Sequence, residues 1–285
     1  MNILVTNDDG IDSPGLWALA EVMGRLGPTL VVAPDKQQSG AGTSVSLYSG
    51  INIAEVSSPI PNVKAYAVSG TPSDCVILGL RRLAQARIEL LVSGINLGPN
   101  VGNDIPYSGT VMATLQGYLR KIPSMAISLV ASRRDEEARF DVAAQVAESL
   151  ALSIRNGQMP TDAILNTNVP NIPLGQIKGI RVTKTASGGY VRLAEVRGSS
   201  SVNYATAIGT RPGQVIEEGT DIWAIEAGFI SVTPIWLEVT HHSLIPTLAE
   251  RIAELAPAFL LTRSRLSASL KAARQGGRGW VSTQF

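Results

Sequence analysis

The chain has 285 residues, with 24 Lys and Arg against 23 Asp and Glu, 45% hydrophobic and 16% charged residues. That length buries a full core without a staple, and the charged share, against about 25% in an average domain, describes a compact protein rather than a disordered one. A formal charge of +1 offers no electrostatic footprint for a nucleic-acid polymer or an anionic membrane surface, so neither is expected as a partner.

Residues 2 to 6 (NILVT) form a short apolar strand that ends in the polar NDDG. Ser13 and Pro14 then open a helix to about Arg25, with Ser13 as N-cap and Pro14 at the first helical position. A second strand at 29 to 33, stopped by Pro34, completes a β-α-β unit and predicts a right-handed crossover between parallel strands. The rhythm continues with a strand at 64 to 69, a helix at 72 to 86, a strand at 89 to 93, a helix at 109 to 120, a strand at 124 to 130, a helix at 135 to 155 and a strand at 162 to 167. This alternation predicts an α/β fold, a Rossmann-like, mostly parallel doubly wound sheet.

After about residue 170 the pattern changes to short β-rich runs, GIRVTK, YVRLAEV, VNYATAI, DIWAI, FISVTPI and LEVT. A final helix is expected at 245 to 262. The organisation predicted is therefore a catalytic core over 1–170, a β-rich extension with a C-terminal helix over 171–262 within the same structural domain, and a flexible tail over 263–285. No apolar run approaches the ~18 residues that span a bilayer. The single cysteine, Cys75, reads as a buried inert thiol, and the N-terminal segment lacks the basic and apolar regions of a secretory signal, so a cytoplasmic location is expected.

Asp8 and Asp9 are adjacent, and side chains in a strand alternate faces, so the two converge only if they lie in the turn after the strand. In an open α/β sheet that turn is at the carboxyl edge, where ligands bind. Two neighbouring carboxylates repel unless a cation holds them, and a hard divalent ion such as Mg²⁺ or Mn²⁺ suits oxygen ligands. The bland alternative is an ordinary Asp-Gly turn. Further loops favour the ion: Ser39 offers a hydroxyl and Gly40 a backbone that approaches phosphate closely, while Asn96, in a long Gly- and Asn-rich run from Ser93 to Asp104, offers a neutral carbonyl oxygen. Ser108, Gly109 and Thr110 stand at a helix start, whose unpaired N–H groups and dipole receive an anion.

These segments resemble the SurE (survival protein E) family of metal-dependent 5'/3'-nucleotidases and acid phosphatases. The resemblance is carried by ILVTNDDGIDSPG at 3 to 15, the Ser39-Gly40 loop, SGTPSDCV at 69 to 76, LLVSGINLGPNVGNDIPYSGTV at 90 to 111 and GFISVTPI. It implies one divalent ion per subunit held by Asp8, Asp9, Ser39 and Asn96, phosphate contacts from Gly40, Ser108, Gly109 and Thr110, and Asn7 and Asp104 lining or bracing the site. It also implies a homodimer or larger assembly, such as a homotetramer, built partly by C-terminal elements.

The expected reaction is hydrolysis of a nucleoside monophosphate, with Asp8, Asp9 and Asn96 at the reacting centre. Water is the expected attacking group, with a phospho-aspartyl intermediate as the alternative. A glycosyltransferase, which usually spaces its acids D-x-D, fits the adjacent pair poorly. A noncatalytic nucleotide-binding regulatory module is the remaining competitor. His241 and His242 are read as surface or capping groups.

Overall fold

The computed structural model describes residues 1–131, 135, 137–197, 202–208 and 215–255. Its compact first unit runs from Met1 to Trp236 and is built on one nine-stranded sheet. The strands are β1 (Ile3–Thr6), β2 (Thr29–Pro34), β3 (Ile53–Val56), β4 (Lys64–Val68), β5 (Leu90–Leu97), β6 (Ser124–Val130), β7 (Ile164–Pro170), β8 (Ile180–Val182) and β11 (Ile230–Ile235), in the order β3-β4-β2-β1-β5-β6-β7-β11-β8. From β4 to β7 every pairing is parallel; β3 and β11 join antiparallel. Two further strands, β9 (Val191–Arg197) and β10 (Val202–Ile208), form a separate antiparallel hairpin.

Helices cover both faces, as a doubly wound sheet requires. Helices α1 (Pro14–Leu26) and α4 (Phe140–Arg155) pack Leu16, Leu19, Met23, Val146 and Leu150 against Ile3, Val5, Val92 and Ile127. The opposite face carries α2 (Pro72–Leu78) and α3 (Gly109–Tyr118), which meet Leu4, Val32 and Leu91 through Cys75, Val76 and Ala113. Cys75 is thus buried core, with its thiol pKa pushed up by burial and then by Asp74.

Several expectations need correction. DIWAI is not a strand but helix α5 (Asp221–Glu226), because Thr220 caps it by accepting a hydrogen bond from the Trp223 N–H at 3.3 Å. LEVT forms no strand, and the predicted 72–86 helix is α2 followed by one π-helical turn at Gly79–Leu83. Strand β3 went unpredicted: it is an edge strand with three of four residues exposed, so it carries no alternating signal. The long helix begins at Phe140 rather than 135. Apart from these corrections, strands β8 and β11 add to the core sheet, and the compact unit runs on to Trp236.

The second unit, 237–285, contains a helix over residues 245–255. The rest of the predicted 245–262 helix and the predicted tail at 263–285 lie outside the described residues. No helix among the described residues is long and apolar enough to cross a membrane.

Candidate active site

The site forms where β1, β2 and β5 end beside the start of α3. Strand β1 stops at Thr6, and Asn7 braces the turn that follows: its side-chain amide donates to the Gly10 carbonyl at 2.9 Å and its oxygen accepts from the Gly10 N–H at 3.2 Å. Gly10 sits at φ +99°, a conformation L side chains rarely adopt. Both amide groups of Asn7 serve this turn, so Asn7 shapes the site from beneath.

Asp8 is 4% exposed. The Thr110 hydroxyl donates to its carboxylate, and its backbone carbonyl accepts from Gln38 N–H at 2.7 Å. Gly109 lies directly on it: a methyl group there would come within 2.8 Å of Asp8 Cβ and 2.9 Å of Asp8 Oδ2. Only glycine lets α3 begin this close to the acid. Burial pushes the Asp8 carboxyl up from 3.8 to about 6, the Thr110 hydrogen bond pulls it down, and the neighbouring charge of Asp9 adds to the rise.

Asp9 is less buried and reaches the end of β5 and the loop after β2. Its Oδ2 accepts the Leu97 N–H at 3.2 Å, and its Oδ1 accepts from Gln37 Nε2 at 3.4 Å. The same Gln37 nitrogen donates to Ser39 Oγ at 2.9 Å. The Asp9 carboxylate and the Ser39 hydroxyl therefore face one shared electropositive partner. Gln37 was not singled out in the sequence.

Asn96 belongs to the end of β5 rather than to a loop, since the strand continues to Leu97 across a register shift between Ser93 and Asn96. Such irregularities re-aim side chains at strand ends. The Asn96 amide nitrogen is tied to the Gly98 carbonyl at 2.8 Å, which fixes the side chain and turns its oxygen away from that bond.

Ser108 caps α3, its hydroxyl accepting the Val111 N–H at 3.0 Å. Gly40 is exposed with open space around it, and its loop is tied to the start of α3 by the Gly42 N–H donating to the Tyr107 carbonyl at 3.1 Å. The loop carrying Ser39 and Gly40 is thus anchored both to Asp8 and to the residue before Ser108.

Below the site lies a polar network that the sequence reading missed. Asn168, on β7, accepts the Asn100 N–H at 2.8 Å and donates to the Asn100 carbonyl at 3.0 Å, while Asn166 donates to that carbonyl at 2.8 Å. Asp221 accepts the N–H groups of Gly102 at 2.8 Å and Ala186 at 2.9 Å; burial raises its pKa. Asp104 accepts the Tyr190 N–H at 2.5 Å, so it braces rather than lines the site. Asparagines at alternate positions of an apolar strand, in ILNTNVP, were the available signal for the first of these clamps.

Residues 3–192 match the family model described as "Survival protein SurE". The chain belongs to the SurE family. It is 43% identical over 235 residues to the 5'-nucleotidase SurE of Dehalococcoides mccartyi strain CBDB1, covering 82% of this chain and 88% of the relative. The 5'-nucleotidase SurE of Geobacter metallireducens is 38% identical over 253 residues, covering 87% and 96%. The crystal structure of the SurE protein from Aquifex aeolicus superposes with a TM-score of 0.75 at 36% identity, covering 87% of this chain and 98% of that one. The segment matched to the SurE family holds the whole cluster from Asn7 to Thr110, whereas the Asp221 clamp lies beyond it.

Proposed function

We propose that the chain is a divalent-cation-dependent phosphomonoesterase that hydrolyses nucleoside 5'-monophosphates to nucleoside and phosphate. The observation that carries this reading is the convergence of Asp8, Asp9, Ser39 and the Asn96 strand end on one side, with the start of α3 on the other. It agrees with the names of the relatives, two of which are described as 5'-nucleotidases.

The donor set fits a hard cation. Two carboxylates, a hydroxyl and an amide oxygen are all oxygen ligands, the kind a hard divalent ion takes. The raised Asp8 carboxyl marks a negative charge held out of water beside another, which a bound cation relieves. Asp8, Asp9, Ser39 and Asn96 would hold the ion, and when bound it would polarise a phosphoryl oxygen and neutralise charge developing in the transition state.

The remaining work belongs to the chain. The start of α3, where Ser108 holds the Val111 N–H and the Thr110 N–H turns to the Asp8 carboxylate, would receive the phosphate through Ser108, Gly109 and Thr110, aided by the helix dipole. Gly40 lets the opposite loop approach the phosphate oxygens. Thr110 holds Asp8 ionised and oriented, and Asn7 holds the turn that places both acids. Asp9, the more exposed carboxylate, orients the attacking water; an aspartyl attack remains the second route. Positioning and fixed dipoles account for most of the barrier lowering in phosphoryl transfer.

The same reading takes nucleoside 3'-monophosphates and short polyphosphate as further substrates, since the contacts are to phosphate. It places the enzyme in the cytoplasm as a homodimer or homotetramer assembled through the 171–262 segment. Assembly is supported by Ile245, Leu248, Ile252 and Leu255, spaced along one stripe of the 245–255 helix and each 49–62% exposed. A panel of nucleoside 5'- and 3'-monophosphates and tripolyphosphate, assayed for phosphate release with Mn²⁺ and again with EDTA, tests the function. Release that withstands the chelator, or none from any nucleotide, would overturn it.

A further inference from the structure

We infer that Tyr107 is the stacking platform for the nucleobase of the substrate, an inference that rests on the phosphatase reading above. Tyr107 is 66% exposed, and with the exposed Pro106 beside it stands on a buried base: Ile105 is 5% and Ser108 7% exposed, and Thr110 is fully buried. An aromatic ring held in water at the rim of a buried polar site contributes nothing to the core, and an exposed ring on a rigid base is what a planar ligand needs.

The base is rigid. Tyr107 ends a short 3₁₀ helix, Gly102–Tyr107, whose other end is held by Asp221 at the Gly102 N–H. Its own carbonyl accepts the Gly42 N–H at 3.1 Å, and the next N–H, of Ser108, donates back to the Ile105 carbonyl at 3.1 Å. The ring therefore rises from backbone clamped on both sides. It also stands at a defined place. Tyr107 immediately precedes the Ser108 cap of α3 and is bonded to the loop that carries Ser39 and Gly40, so it lies between the two walls of the phosphate site. A phosphate seated at the start of α3 leaves the rest of the nucleotide to extend outward past this rim.

The chemistry follows from the ring. Stacking recognises a π-face and not a hydrogen-bonding pattern, so it holds any base and favours the larger purines. It contributes to binding before and during the reaction alike, and so acts on KM and not on kcat.

The experiment compares the full-length wild type with Tyr107→Ser and Tyr107→Phe, in saturating Mn²⁺, on AMP and on ribose 5-phosphate, which has the same phosphate and sugar but no base. In Tyr107→Ser the KM for AMP should rise on the order of tenfold or more, the scale of one lost base–aromatic stack. Its kcat should stay unchanged, and so should kcat/KM for ribose 5-phosphate. Tyr107→Phe should match the wild type on both. Equal losses on the two substrates would mean that the ring only shapes the loop, and an unchanged KM for AMP would mean that it does not meet the base; either overturns the inference. Calorimetry with the adenosine phosphonate in which carbon replaces the bridging oxygen, against inorganic phosphate, reads the same contrast without turnover. If the wild type released no phosphate from AMP, the phosphatase reading would fall, while a weakened phosphonate and unchanged phosphate affinity in Tyr107→Ser would still support the platform, and equal affinities would refute it.

Discussion

Replacing Thr110 with valine removes one hydroxyl from the least exposed part of the site and changes almost nothing else. Thr110 is fully buried and Asp8 4% exposed, and Val has the same shape, so no cavity opens. What is lost is the hydrogen bond to the Asp8 carboxylate. A bond to an ionised group contributes roughly 1.5–3 kcal/mol, which lifts the Asp8 pKa by about one to two units from its already raised value of about 6. A cation must then displace a proton that the wild type largely lacks at neutral pH. By that linkage Mn²⁺ affinity at pH 6 should fall on the order of tenfold, and by pH 8 the variant should approach the wild type. Calorimetric titration at the two pH values measures this directly, and the acidic limb of AMP hydrolysis should move up by the same one to two units. An acidic limb that stays in place, with a Mn²⁺ affinity reduced equally at both pH values, would refute the assignment of Thr110 as the group that keeps Asp8 ionised.

Three further outcomes follow from the same geometry. Gly109→Ala places a methyl group 2.8 Å from Asp8 Cβ; the shift needed to relieve it should lower turnover on the order of 100-fold, while far-ultraviolet circular dichroism shows a folded protein. In the metal-free protein the folded state holds the Asp8 proton more tightly than the unfolded state. Stability should therefore be greatest below pH 4 as far as this group is concerned and should decline by roughly 3 kcal/mol as pH rises from about 4 to about 6; Mn²⁺ should reverse that decline, and urea titrations across the range with and without the ion measure it. Asp221→Ala leaves the Gly102, Ala186 and Ile222 N–H groups without their acceptor. At about 1–3 kcal/mol per stranded donor, the melting temperature should drop by at least about 5 °C, as differential scanning calorimetry would record.

Much of this was legible in the sequence because the signals are local. The apolar run that ends at Thr6 puts Asp8 and Asp9 in a turn at the carboxyl edge, and strand-helix alternation through residue 170 is a matter of periodicity and caps. Ser108 before an apolar stretch announces the start of α3. The lost parts depend on partners far away in the chain. Asp221 meets Gly102 across more than a hundred residues, and DIWAI reads as a strand by its β-branched and aromatic content until the Thr220 cap is seen to win. Asn166 and Asn168 are buried in β7 because they bond the backbone N–H and carbonyl of Asn100, a reason invisible in their own segment. Gln37 stands in a small polar loop with no local signal of its own, yet its amide joins Asp9 to Ser39.

The claim that Asp8 and Asp9 hold a catalytic cation is tested most directly by Asp9→Asn, measured for phosphate release from AMP in saturating Mn²⁺. Asparagine keeps the size and one oxygen but removes the charge, so the variant should fold, melt within a few degrees of the wild type and release no phosphate above the level seen with EDTA. Release near the wild-type rate would contradict the account.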